Sequence, residues 1–138
     1  MILLDTNVLS ALMQEVPPEQ VLAWLDRQPR PSIWTSAITI MELRHGIELL
    51  ASGRNKRHLE LAIERMVVDK LGTRIAPFDT PAAEQSASLM AARQRAGRPG
   101  ELRDTMIAGI VLANRAILAT RNVQHFSDLP VSVVNPWD

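Results

Sequence analysis

The chain has no cysteine, no tyrosine, only two phenylalanines and no net charge. Without cysteine, a disulfide scaffold, a thiolate zinc site and thiol catalysis are excluded, and a reducing cytoplasm is the compartment that fits. Lys plus Arg and Asp plus Glu stand at 15 each. Overall charge therefore recruits no polyanion, and any nucleic-acid contact has to come from a local patch. The longest apolar run, Met106 to Ala113, is far too short to span a bilayer. No basic stretch precedes an apolar one at the N-terminus, so no signal peptide is expected. The few aromatics offer no stacking face for single-stranded RNA, and Trp24, Trp34 and Trp137 read as core or interface residues.

What is present suits one compact unit. At 138 residues and 46% hydrophobic, without repeat, low-complexity tract or long linker, the chain is expected to form one domain over 1–138. ILLD (2–5) reads as a buried strand ended by turn chemistry. VLSALM (8–13) has helical spacing, with Thr6 or Asn7 as its N-cap. Pro17-Pro18 break the chain before EQVLAWLDRQ, a second helix. SIWTS (32–36) is rich in β-formers. TIMELRHGIELLAS is helical, and Asn55 to Leu71 is a further amphipathic helix that Gly72 ends. RIAPF (74–78) reads as a strand, and Thr80-Pro81 opens a long Ala-rich helix. DTMIAGIVLANR is apolar on all sides, and its length favours a helix over a strand. AILAT (116–120) and VSVV (131–134) complete five strands. Strands alternating with helices predict a three-layer α/β/α sandwich around a mainly parallel five-stranded sheet.

In such a sheet, ligands bind beyond the carboxyl ends of the strands. Few polar residues fall there. Asp5 ends the first strand, Glu42 lies in the first turn of the helix after the second, Asp104 opens the buried helix, and Thr120 and Asn122 follow the fourth strand. Three carboxylates at one rim repel one another unless a cation neutralises them. Oxygen donors without Cys suit Mg²⁺ or Mn²⁺ better than zinc. Each residue also has a plainer reading: Asp5 as a cap, Glu42 as the end of a Thr39-x-x-Glu42 capping box, Asp104 as a partner of the helix dipole, Asn122 as a turn residue. From these residues alone, capping and metal binding both stay open. His45, His58 and His125 fall outside the rim pattern or on helix surfaces and read as surface or packing residues. Arg44, Arg98, Arg103 and Arg121 lie in sequence beside the acids and are candidate phosphate contacts, against the ordinary reading of a solvated face.

MILLDTNVLSAL, TSAITIMELRHGIELL, GRPGELRDTMIAGIVLA, LATRN followed by HF, and the ending VVNPW together resemble the PIN-domain ribonucleases, and among them the small VapC-type toxins of bacterial toxin–antitoxin pairs. The blocks follow family order over nearly the whole chain. The resemblance implies an α/β/α sandwich with a parallel sheet and Mg²⁺- or Mn²⁺-dependent endonucleolytic cleavage of RNA. By position, Asp5, Glu42 and Asp104 match the family's three acids. The fourth acidic position of many members falls at Asn122, whose amide can accept a metal bond but brings no charge. Thr6, Asn7 and Thr120 match the polar residues around the acids. The resemblance also implies a protein antitoxin and a toxin dimer, with the helices at 18–28 and 55–71 as candidate surfaces. Two other readings compete. One is a dehalogenase-like aspartyl phosphohydrolase with Asp5 as nucleophile, although that class wants a second Asp where Asn7 stands. The other is a non-catalytic binding module whose acids only cap helices.

Overall fold

The structure is a computed structural model that describes residues 1–138. Its five strands are β1 (Ile2–Leu4), β2 (Ile33–Ser36), β3 (Ile75–Ala76), β4 (Ile117–Ala119) and β5 (Val133–Val134). They pair in the order β3-β2-β1-β4-β5, parallel throughout. The helices are α1 (Thr6–Leu12), α2 (Glu19–Asp26), α3 (Ala37–Glu48), α4 (Arg54–Arg65), α5 (Thr80–Arg95) and α6 (Leu102–Asn114).

A parallel sheet is covered on both faces, so its strands read as unbroken apolar runs, as ILL and ILA do here. Successive side chains of β1 then serve opposite cores. Ile2 and Leu4 join Val8, Leu9, Val21, Leu43 and Ile63, from α1 to α4, on one face. Leu3 joins Leu118, Ile107, Ile110, Val111 and Phe126 on the other, beneath α5 and α6. The all-apolar segment is α6, with Ile107 to Val111 buried without a break. Gly109 lets α5 come close: a Cβ there would lie 1.8 Å from Ser86 Oγ and 2.6 Å from the Ala82 carbonyl oxygen.

Several boundaries differ from the sequence-based expectations. The first helix starts at Thr6, and its N-cap is Asp5, whose Oδ1 accepts from the Thr6 amide at 2.8 Å. Thr6 and Asn7 are therefore inside the helix. The third starts at Ala37 with Ser36 as N-cap, its Oγ accepting from the Thr39 amide at 3.0 Å. The Thr39-x-x-Glu42 capping box does not form, because the true cap stands three residues earlier. The helix at 55–71 is α-helical only to Arg65 and continues as a π turn over Met66–Leu71. Leu71, the last residue of that turn, is buried. β3 stops at Ala76 because Pro77 has no amide hydrogen for a sheet ladder.

Candidate functional site

β1 lies at the centre of the sheet between β2 and β4. The chain leaving β1 therefore passes beside the chain leaving each neighbour, and the polar residues just beyond the strands meet. Asp5 is 3% exposed. Its Oδ1 caps α1, while Oδ2 accepts from Thr120 Oγ1 at 2.7 Å and from Asn7 Nδ2 at 3.3 Å. Asn7 is itself fixed at its other end, where Oδ1 accepts from the Arg121 amide at 3.0 Å. The Asn122 amide donates to Thr120 Oγ1 at 3.0 Å. Capping thus uses one oxygen of Asp5, and the other lies in a separate polar cradle of Thr120 and Asn7.

Glu42 joins this network through the hydroxyl of Thr6, which donates to Glu42 Oε1 at 2.8 Å. Thr6 Oγ1 also stands 3.2 Å from Thr39 Oγ1, which in turn lies 3.3 Å from Ser36 Oγ. Ser36 and Thr39 are both fully buried, so a line of hydroxyls backs the acids. Asp104 lies in the first turn of α6. Its Oδ2 is 3.2 Å from His125 Nδ1. His125 is thus a rim residue, contrary to its sequence-based reading. It arrives on the turn after β4, which no residue spacing revealed.

Burial pushes the Asp5 carboxyl above its usual range. The bonds from Thr120 and the Thr6 amide oppose that rise, and the charge of Asp104 adds to it. Burial raises Asp104 as well, reinforced by Glu101 and Glu42 and opposed by His125. The rim therefore concentrates negative charge in a partly dry place, where a cation is favoured. As the side chains lie, no three of the His, Asp and Glu groups close a metal shell. The donors are oxygens, with the single nitrogen of His125 at the edge.

The expected cations are differently engaged. Arg103 donates from Nε to Glu101 Oε1 at 2.9 Å and lies 3.8 Å from Glu42 Oε2. Arg121 rests its guanidinium 4.8 Å from the centre of the Trp137 ring. Arg98 lines a polar cleft of about 300 Å³ that Asp104, Gln124 and His125 also line. Arg44 is exposed on α3, two residues beyond Glu42. Asn122 is exposed, and its backbone rather than its side chain joins the network. The amide at Asn7 also argues against the aspartyl phosphohydrolase: it donates to Asp5 Oδ2 and Thr120 Oγ1, where a second acid would only accept.

A doubly covered parallel sheet with carboxylates gathered at the C-terminal edge of its central strand defines the class: an acid-rimmed α/β/α protein. The chain belongs to the PIN domain family, whose profile matches residues 2–131. It is 36% identical to the VapC ribonuclease Y4jK of Sinorhizobium fredii, over all of this chain and 99% of that one. It is 37% identical to toxin FitB of Neisseria gonorrhoeae over 99% of each chain. It superposes on a chain of FitAB bound to an IR36 DNA fragment with a TM-score of 0.90, at 36% identity, over 100% of this chain and 96% of that one.

Proposed function

We propose that this chain, as one nuclease domain over 1–138, is a metal-dependent endoribonuclease acting as the toxin of a bacterial toxin–antitoxin pair. The observation that carries the reading is the buried Asp5 carboxylate, held by Thr6, Asn7 and Thr120 within the field of Asp104. The names of the relatives, a VapC ribonuclease and a toxin, agree with it.

Asp5 and Asp104 would hold Mg²⁺ or Mn²⁺, with Glu42 and, more weakly, Asn122 reaching it directly or through water. When bound, the ion supplies an acidified water and charge neutralisation on the phosphate. The chain's own residues prepare that place. Thr120 and Asn7 hold the oxygen of Asp5 that does not cap α1, so the carboxylate keeps one orientation. Thr6 ties Glu42 to the start of α1, so the two acids move together. His125 does the same for Asp104 from the side of the cleft. Arg103 reaches Glu42, Arg98 shares the cleft of Asp104, and the Arg121 amide bonds Asn7 beside Asp5; these three, with Arg44 on the exposed side of α3, would meet backbone phosphates of the RNA, giving position rather than sequence choice.

A chain that cuts cellular RNA would act in the cytoplasm. No helix is long and apolar enough to cross a membrane. The partners are a cognate antitoxin and a second copy of the chain. Val16, Leu49, Leu61 and Val68 are exposed apolar side chains available to them. Brief expression followed by sequencing of RNA 5′ ends tests the reading. New ends at defined positions with the natural chain, absent with Asp5→Asn and suppressed by co-expression of the antitoxin, are expected. No new ends with the natural chain would overturn it.

A further inference from the structure

Arg93 sits on the side of α5 that meets α6 and is 6% exposed. A buried guanidinium needs its donors met. Nε donates to Asp128 Oδ2 at 2.8 Å and Nη2 to Asp128 Oδ1 at 2.9 Å, a two-pronged grip. Nη2 also donates to the His125 carbonyl oxygen at 3.1 Å, and Nη1 donates to Thr105 Oγ1 at 3.1 Å. One side chain thus joins α5, the first turn of α6 and the turn after β4.

Those last two segments carry Asp104 and His125. Thr105 follows Asp104 in the chain, and the imidazole of His125 lies 3.2 Å from the Asp104 carboxylate. Arg93, Thr105, Asp104 and His125 therefore form a closed ring of covalent neighbours and hydrogen bonds. Gly100 leaves room for it, since a Cβ there would stand 2.7 Å from Arg93 Nη1. Stability alone does not account for the arrangement. Asp128 is 46% exposed, and ion pairs reaching water add little. Four directed bonds into two separate segments add geometry.

We propose that Arg93 is a positioning residue of the candidate site: it clamps the turn 122–128 to the first turn of α6 and so sets His125 against Asp104. Its kinetic consequence rests on the nuclease reading above, whereas the clamp itself does not. Arg93→Lys keeps the charge and the stem but loses the planar fork. Leu89→Ala, which trims a side chain packed on the α6 core from the same helix, is the control for simple destabilisation.

Hydrogen exchange on the metal-free chain reads the clamp. The amides of His125, Ser127 and Leu129 are bonded within the turn. In Arg93→Lys they are expected to exchange at least about tenfold faster than any global loss of stability explains, and in Leu89→Ala only in proportion to it. Steady-state RNA cleavage reads the positioning. Arg93→Lys is expected to lose about 10- to 100-fold in kcat with KM nearly unchanged, as residues that orient metal-binding groups do, and Leu89→Ala to keep its kcat. If Arg93→Lys fails to fold, Asp128→Asn, altered at a half-exposed position, is expected to loosen the same amides. Unchanged exchange in the folded variant overturns the clamp, whether or not the chain cuts RNA. A loosened turn with full kcat overturns the positioning role. A natural chain that cuts no RNA overturns the nuclease reading instead, and exchange still decides the clamp.

Discussion

Asp5 shows how much one carboxylate can be asked to do. Its two oxygens divide between a helix cap and a polar cradle, and only the cradle distinguishes a site from a turn. Thr120 is the buried centre of that cradle, donating to Asp5 and accepting from the Asn7 side chain and the Asn122 amide. Thr120→Val keeps the shape and removes all three bonds. It is expected to cost about 1–3 kcal/mol, because the buried partners are left unpaired, and to slow cleavage. Urea unfolding and a single-turnover assay check both. The second residue-scale prediction concerns pH. The hydrogen bonds of Arg93 hold Asp128 below the usual carboxylate range. Since its folded value lies below the unfolded one, the pair's contribution is complete above the ordinary 3.8 and is lost as pH falls through the folded value. Urea midpoints of the natural chain and Asp128→Asn should differ by a constant amount from neutral pH down to about 5, then converge in more acid solution. Asp5, Asp104 and Thr120 were legible in the sequence because they fall just past strands or open a helix. Glu42 lies in the second turn of α3 and not in the first as expected, because Ser36 caps that helix three residues before Thr39. His125 was not, because a residue on a turn gives no periodic signal. Ser36 and Thr39 were missed as a pair because the cap was assigned three residues late.

The elements that read most clearly are those with one environment along their whole length. ILL and the centre of the α6 run, Ile107 to Val111, are apolar on every side because each is covered on every side, and ILA is covered beyond its first residue. Amphipathic stretches gave the right helices with shifted ends, since an end is set by whichever side chain reaches a free amide first, and both Asp5 and Ser36 won that contest over later candidates. The π turn after α4 could not be read from spacing, because Ile63, Val67 and Leu71 fit an α-helical stripe equally well. Gly109 is where α5 and α6 approach most tightly among the chain's glycines. An alanine Cβ there meets the backbone oxygen of Ala82 as well as the Ser86 hydroxyl. Gly109→Ala is therefore expected to destabilise by about 1–3 kcal/mol through overpacking, more than the roughly 1 kcal/mol of helix propensity it gains. Thermal unfolding checks the sign. A stabilised variant would mean that α5 and α6 are not held at this distance.

At the scale of the molecule, residues 5, 42, 104 and 125 become neighbours because of strand order. With β1 between β2 and β4, the segments leaving three adjacent strands, and the turn of α6 that packs across them, share one edge. The sequence names the positions that lie beyond strands. It does not reveal which strand is central, so it cannot say which acid is buried and which carries a histidine beside it. Nor did composition indicate a polyanion partner, because the arginines near the acids are offset by acids elsewhere, leaving 15 charges of each sign. In the proposed reading the carboxylates of Asp5 and Asp104 do chemistry, beyond the cap that Asp5 gives α1. Cleavage of a structured RNA by the purified chain, with Mg²⁺ or Mn²⁺ and with chelator, tests it most directly beside Asp5→Asn and Asp104→Asn. Cleavage is expected only with metal, with at least about a hundredfold loss in each folded variant, or roughly 2.7 kcal/mol of barrier. Full activity in either variant, or equal cleavage in chelator, would contradict it.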